Sequence, residues 1–194
     1  IGGTRVIERS GRRMGYVPVW SCAGVEVEQT LSEAFAEKLA EAEALILDLR
    51  GGWGGCDSRL VGLFDPAVPD LTRIDRQGKS TVFASAWRKP LVVLIDGGSR
   101  SGKEVVARAL QRHRRATLVG ETTGKAVLAG QPLLLADGSL LYLAVHDIRV
   151  DGERLEGVGV TPDVAVPAEL PYAAGRDPQL ERALDAAVER LKGR

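Results

Sequence analysis

LVVLIDGGSRSGKEVVARAL, residues 91–110, is the stretch on which the reading of the fold turns. Its first five residues form a continuous apolar run, the pattern of a strand covered on both faces. GGSRSG (97–102) is a turn, and the residues after it read as a helix leading to RRATLVGE (114–121), a second strand. Strand, turn, helix and strand make a βαβ unit, which predicts a parallel sheet. The turn also spells G-x-x-x-x-G-K, the spacing of a phosphate-binding loop. That loop needs Ser or Thr after its lysine to hold magnesium, and this chain has Glu104, whose carboxylate repels phosphate. Asp147, ending an apolar run, is a chance match to the metal-binding aspartate of such proteins. A nucleotide binder is therefore only the third reading.

The rest of the chain extends the same pattern. GYVPVW (15–20) predicts a strand, and TLSEAFAEKLAEAEA (30–44) predicts a helix with Thr30 as N-cap and Leu31, Phe35, Leu39 and Ala42 on one face. LILDLR (45–50) is a second two-sided strand, followed by the turn GGWGG (51–55), a short helix near DSRLVGLF (57–64) and a strand in STVFASAW (80–87). After Lys125 the Asp-Gly pairs at 137–138 and 151–152, set between apolar runs, predict antiparallel hairpins. DPQLERALDAAVERL (177–191) predicts an amphipathic helix with Leu180, Leu184, Ala187 and Leu191 on its apolar side. The expected architecture is one α/β domain over residues 1–194.

Composition excludes some classes. The 26 basic and 26 acidic residues leave no net field to favour nucleic acid, and no apolar run is long enough to span a bilayer. The first residue is Ile1 rather than Met, which points to a processed or excised chain. Cys22 and Cys56 lack metal-ligand spacing; one disulfide or two unpaired buried thiols both fit, the second being the commoner situation.

Parallel strands joined by right-handed crossovers gather the loops at their carboxyl ends along one edge. Three such loops stand out: RGGWGG (50–55), GGSRSG (97–102) and ETTGK (121–125). Together they supply bare glycine amides, a serine at a strand-to-helix turn and a lysine, the parts of an acyl-transfer site. Lys103 is the weaker base, because residues two apart on a helix do not face one another. The plainer readings are a helix N-cap for Ser101, a solvated loop lysine for Lys125 and a tight turn for Gly54 and Gly55. Trp53 reads as core or rim packing, Asp48 and Arg50 as alternating strand charges that pair with neighbours for structural reasons, and His146 as a half-buried strand residue.

Four segments in order, LILDLRGGWGG (45–55), LVVLIDGGSRSGKEVVARAL (91–110), ATLVGETTGK (116–125) and LADGSLL with DGERLEGVGVTPDVAV (135–166), resemble the C-terminal processing (tail-specific) protease family. That family is related to the tricorn protease core and, by fold, to the Clp protease and crotonase group. The resemblance implies a serine endopeptidase acting near polypeptide C-termini through an acyl-enzyme, without cofactor or metal, on a substrate bound as an extended strand. It implies Ser101 as nucleophile, because Glu104 matches the closing residue of the family's Ser-Ala-Ser-Ala-Ser-Glu. Lys125 is then the general base, and the N–H groups of Gly54 and Gly102 form the oxyanion hole. It also implies a location outside the cytoplasm; a PDZ domain, common in the family, has no room in this chain.

The chain departs from the family pattern in three ways. GETTGK lacks the residue that usually separates Thr from Gly, so Lys125 comes one position early. Arg100 and Lys103 replace small neutral residues and are expected to make the rim more positive. A tricorn-like branch uses a histidine base from outside this core with an assisting glutamate, which Glu156 matches, while His113 and His146 do not match the histidine. These departures motivate the alternative: a catalytically silent domain of the same fold that binds peptides or apolar ligands.

Overall fold

The computed structural model describes residues 2–24, 26–56, 59–83, 86–169 and 174–193. The first half of the chain runs β1 (Arg5–Arg9), β2 (Arg12–Pro18), α1 (Glu26–Ala36), β3 (Ala44–Asp48), α2 (Arg59–Gly62), β4 (Leu71–Ile74), β5 (Ser80–Phe83) and β6 (Leu91–Ile95). The second half continues with α3 (Gly102–Arg112), β7 (Thr117–Gly120), β8 (Ala129–Leu134), β9 (Leu140–His146), β10 (Arg149–Val150), β11 (Glu153–Arg154), β12 (Val164–Ala165) and α4 (Pro178–Lys192). Six strands form one sheet in the order β1-β2-β3-β6-β7-β12. Only β1 against β2 is antiparallel in it; the other four pairs are parallel.

β3 and β6 are buried along their whole length, as their apolar runs require. Alternation divides their side chains between two cores. Leu45, Leu47, Leu91, Val93 and Ile95 pack with Leu31 of α1 and Val106 and Leu110 of α3. Ala44, Ile46, Val92 and Leu94 pack with Ala183, Leu184 and Ala187 of α4 on the other face. Each such leucine, removed from water, contributes about 1.5–3 kcal/mol. Asp177 caps α4 by accepting the N–H of Leu180 at 3.0 Å, with Pro178 as the first helical residue.

Several boundaries differ from the sequence reading. The helix expected over 30–44 is α1, four residues earlier at its start and ending at Ala36. Glu26 and Glu28 suit the positive end of its dipole, and Thr30 lies inside it, donating its hydroxyl to Glu26 O at 2.7 Å. Past Ala36 the chain turns so that Leu39 and Ala42 drop into the core, and Lys89 Nζ holds the freed carbonyls of Ala40 and Ala42. The helix near 57–64 is the single turn α2, with residues 57 and 58 outside the described residues; in the expected strand over 80–87, residues 84 and 85 lie outside them. Strands β1 and β4 had no sequence counterpart.

Both Asp-Gly pairs turn antiparallel hairpins, β8–β9 and β10–β11. Among the described residues the first pairs only with itself and nothing covers its outer strand residues: Leu134 and Tyr142 are 76 % and 69 % exposed. His146, expected half-buried, is exposed for the same reason. Among the described residues no helix is long and apolar enough to cross a membrane. Because β3, β6 and β7 are adjacent and parallel, the three loops leaving their carboxyl ends share one edge.

Candidate active site

Ser101 directly precedes α3 with φ 59° and ψ −131°, a conformation that residues other than glycine rarely adopt. Its backbone is held on both sides: its N–H donates to Ala126 O at 2.7 Å and its carbonyl accepts from Glu104 N–H at 2.9 Å. Its hydroxyl makes no cap to the helix, so the N-cap reading does not hold. The side chain is half-buried, and no hydrogen bond ties Oγ to another described residue.

The glycine loop after β3 lies directly against this serine. A Cβ on Gly54 would sit 2.7 Å from Ser101 Cβ, 2.9 Å from Arg100 O and 3.3 Å from Ser101 Oγ. A Cβ on Gly102 would sit 2.5 Å from both N and O of Cys56. Only residues without side chains allow these approaches. The N–H groups of Gly54 and Gly102 donate to no other described residue. Cys22 and Cys56 form a disulfide, in place of the two unpaired thiols that the sequence made the commoner case. It staples the glycine loop to the segment after β2, where Cys22 N–H donates to Gly54 O at 3.2 Å and Trp53 N–H to Trp20 O at 2.6 Å. Trp53, read as packing, is 71 % exposed, as is Trp20 beside it.

Two charged side chains fix the loop further. Asp96, at the end of β6, accepts with Oδ1 from the N–H groups of Gly51 at 2.8 Å and of Gly98 and Ser99 at 2.9 Å. Lys103, expected at the rim, is instead fully buried and donates to Gly51 O at 2.7 Å and Trp20 O at 3.2 Å. Burial pushes its pKa down to about 8, against the upward pull of Asp48 and Asp96. The lysine that would meet a phosphate is thus turned inward onto two carbonyls, which removes the basis of the phosphate-loop reading.

The third loop runs alongside. Glu104 is fully buried and accepts from Lys125 N–H at 2.6 Å and Ala126 N–H at 3.1 Å. Burial raises its pKa; the Thr123 hydroxyl and those two amides oppose the rise, and Glu156 adds to it. Glu156 in turn accepts from Val127 N–H at 2.6 Å and Leu128 N–H at 3.1 Å. Two carboxylates therefore hold four successive amides, residues 125–128. Lys125 itself has φ 63°, and its carbonyl accepts from Gly157 N–H at 3.0 Å. Its Cγ lies 2.9 Å from where a Cβ on Gly159 would be. The residue is exposed, and its ammonium makes no hydrogen bond to Ser101.

Gly54 therefore lies against Ser101, Gly102 follows Ser101 in the chain and lies against Cys56, and Lys125 is tied to Ser101 through the backbone of its neighbour Ala126. Asp48 and Arg50, expected only to pair with neighbours, pair with each other inside a larger network: Arg50 bridges Asp48 and Asp177 at 2.7 and 2.8 Å, and Tyr16 OH donates to Asp48 at 2.8 Å. The inward turn of Lys103 and the anchoring role of Asp96 had no decisive sequence signal beyond an aspartate ending an apolar run.

The sequence pattern of peptidase family S41 matches residues 13–166. The chain belongs to peptidase family S41. A carboxy-terminal-processing protease of Bartonella bacilliformis is 42 % identical over 136 residues, covering 65 % of this chain and 31 % of that protein. A carboxyl-terminal-processing protease of Synechocystis is 29 % identical over 189 residues, covering 87 % of this chain and 44 % of that protein. The chain thus spans less than half the length of these S41 relatives. Among solved structures, a photosystem II D1 C-terminal processing protease is similar with a TM-score of 0.59 and 29 % identity, over 80 % of this chain and 42 % of that one. The tricorn protease, at 24 % identity, shares the fold with a TM-score of 0.71 over 94 % of this chain and 18 % of its own. The sheet and its helices are the α/β core of S41 proteases, a Clp protease and crotonase-like fold.

Proposed function

We propose that this S41 chain is a serine peptidase core that cuts polypeptides through an acyl-enzyme on Ser101, as the names of its processing-protease relatives suggest. The observation that carries the reading is the Ser101 hydroxyl, free of any capping bond on a left-handed turn with Gly54 pressed against it. Ser101 Oγ attacks the peptide carbonyl and gives its proton to the Lys125 amine. The carbonyl oxygen, now an oxyanion, accepts from the N–H groups of Gly54 and Gly102. Lys125 returns the proton to the departing amine, and water hydrolyses the ester by the same relay. Glu156 acts through the amides of Val127 and Leu128, keeping the Lys125 segment in place. The steps call on no cofactor.

The substrate is proposed to bind as an extended strand against an open sheet edge, so that backbone hydrogen bonds dominate and sequence preference is loose. The Cys22–Cys56 disulfide supports a location outside the cytoplasm, where such bonds persist.

A fluorophosphonate probe with peptide mapping tests the reading. Ser101 is expected to be labelled, with labelling lost in Ser101→Ala and slowed at least about tenfold in Lys125→Met. A folded chain that takes no label refutes it. The second reading, a silent peptide binder of the same fold, is favoured by the exposed Lys125 ammonium without a bond to Ser101, and would leave peptide binding intact with no label.

A further inference from the structure

We propose that Lys103 is a positioning residue for the oxyanion site, holding the Gly54 amide against Ser101 through the carbonyls of Gly51 and Trp20. The inference rests on the peptidase reading and adds a part to it. Lys103 is 0 % exposed, an uncommon state for a lysine, and forms no ion pair among the described residues. It spends its donors on two backbone carbonyls instead, Gly51 O at 2.7 Å and Trp20 O at 3.2 Å. Asp48 and Asp96 are the carboxylates that face it electrostatically.

Those two carbonyls are the entry points of the segment that presents Gly54. Gly51 opens the loop, and its N–H is already fixed by Asp96 at 2.8 Å, so that one residue is held at both its amide and its carbonyl. Trp20 O also accepts the N–H of Trp53, the residue before Gly54, at 2.6 Å. The ammonium therefore ties both chains of the stapled pair to α3. Ser101 stands at the head of that same helix, two residues before Lys103. Nucleophile and oxyanion donor, far apart in sequence, are thus held by one rigid element. Burying an ammonium bonded only to carbonyls carries a desolvation cost that an apolar side chain of similar length avoids. Stability alone gives little reason for a lysine here, whereas an oxyanion donor misplaced by about 1 Å costs on the order of a hundredfold in rate.

The test is Lys103→Met, which keeps the length and removes the donors. The expected result is an unchanged or higher melting temperature and a product-peptide affinity within about twofold of wild type. Affinity for a peptidyl trifluoromethyl ketone, whose serine adduct carries an oxyanion, should fall about ten- to a hundredfold, and kcat with it, while KM stays nearly constant. A folded variant with wild-type kcat and ketone affinity overturns the proposal, as does an equal loss of affinity for ketone and product peptide. If Lys103→Met does not fold, Lys103→Gln, which retains one shorter donor, is put through the same measurements, and the same results support or overturn the proposal. Deuterium exchange at the amides of residues 53–56 separates this inference from the peptidase reading. In a wild-type chain that never labels at Ser101 that reading fails, yet exchange there should still quicken about tenfold in Lys103→Met, and an unchanged rate overturns the positioning role.

Discussion

Replacing Gly54 by alanine sets a methyl group 2.7 Å from Ser101 Cβ and 2.9 Å from Arg100 O. Carbon atoms in ordinary contact stand about 3.5–4.0 Å apart, so the loop and the serine must separate by roughly 1 Å. Neither neighbour can swing aside, since a Cβ and a carbonyl oxygen move only with their backbone. An amide hydrogen bond stretched by roughly 1 Å is lost, and losing one oxyanion donor lowers kcat about 10²- to 10³-fold. Overpacking adds about 1–3 kcal/mol of destabilisation, a fall of several degrees in melting temperature for a chain of this size. Gly97→Ala is the control: it lies in the neighbouring loop, and a Cβ there meets nothing within 4 Å. The assay is the rate of fluorophosphonate labelling at Ser101, read beside a thermal melt for each variant. Gly97→Ala should stay within about twofold of wild type. A folded Gly54→Ala that labels at the wild-type rate, or equal losses in both variants, would refute the contact between Gly54 and Ser101 as the source of the oxyanion site.

Removing the Cys22–Cys56 bond with paired alanines frees a loop of 34 residues, for which chain entropy gives about 4 kcal/mol, and melting should drop by roughly 10 °C; a drop under about 2 °C contradicts the bond. Glu104→Gln should cost more than Glu156→Gln, by differential scanning calorimetry and by Ser101 labelling alike. The two oxygens of Glu104 serve different amides, so a glutamine must turn its NH2 toward one of them, whereas one oxygen of Glu156 serves both of its partners. Equal costs would count against this hydrogen-bond assignment. Lys103 makes stability rise with pH: with its pKa lowered from 10.5 to about 8, the unfolded chain holds the extra proton between those values. Wild type should therefore gain on Lys103→Met between pH 8 and pH 10 in denaturant titrations, by on the order of 2 kcal/mol, and a constant gap would contradict the buried ammonium.

Much of the architecture is local in origin, and that part was legible in the residues. The apolar runs at 45–49 and 91–95, the helical spacing of Leu184 and Ala187, and the Asp-Gly turns each follow from interactions within a few residues, and each appears where expected. The end of α1 was misplaced because Leu39 fits the helical period equally well, and only its place in the core and the reach of Lys89 to Ala40 and Ala42 stop the helix at Ala36. The hairpin β8–β9 shows the same limit in another form. Its pairing is written in 129–146, but whether either face is covered depends on what packs against it.

From sequence alone came the parallel direction of the central strands and the gathering of three loops at one edge, since period, glycine content and crossover handedness suffice for those, whereas the order of the strands in the sheet came from the structure. Tertiary structure alone decided that Lys103 turns inward, that Cys22 meets Cys56, and that Glu104 and Glu156 serve backbone amides. It also decided that the Lys125 stem lies over Gly159. Each of these joins segments many residues apart, and a side chain's direction there is set by which distant donor or acceptor arrives within about 3 Å, a distance that no local pattern encodes.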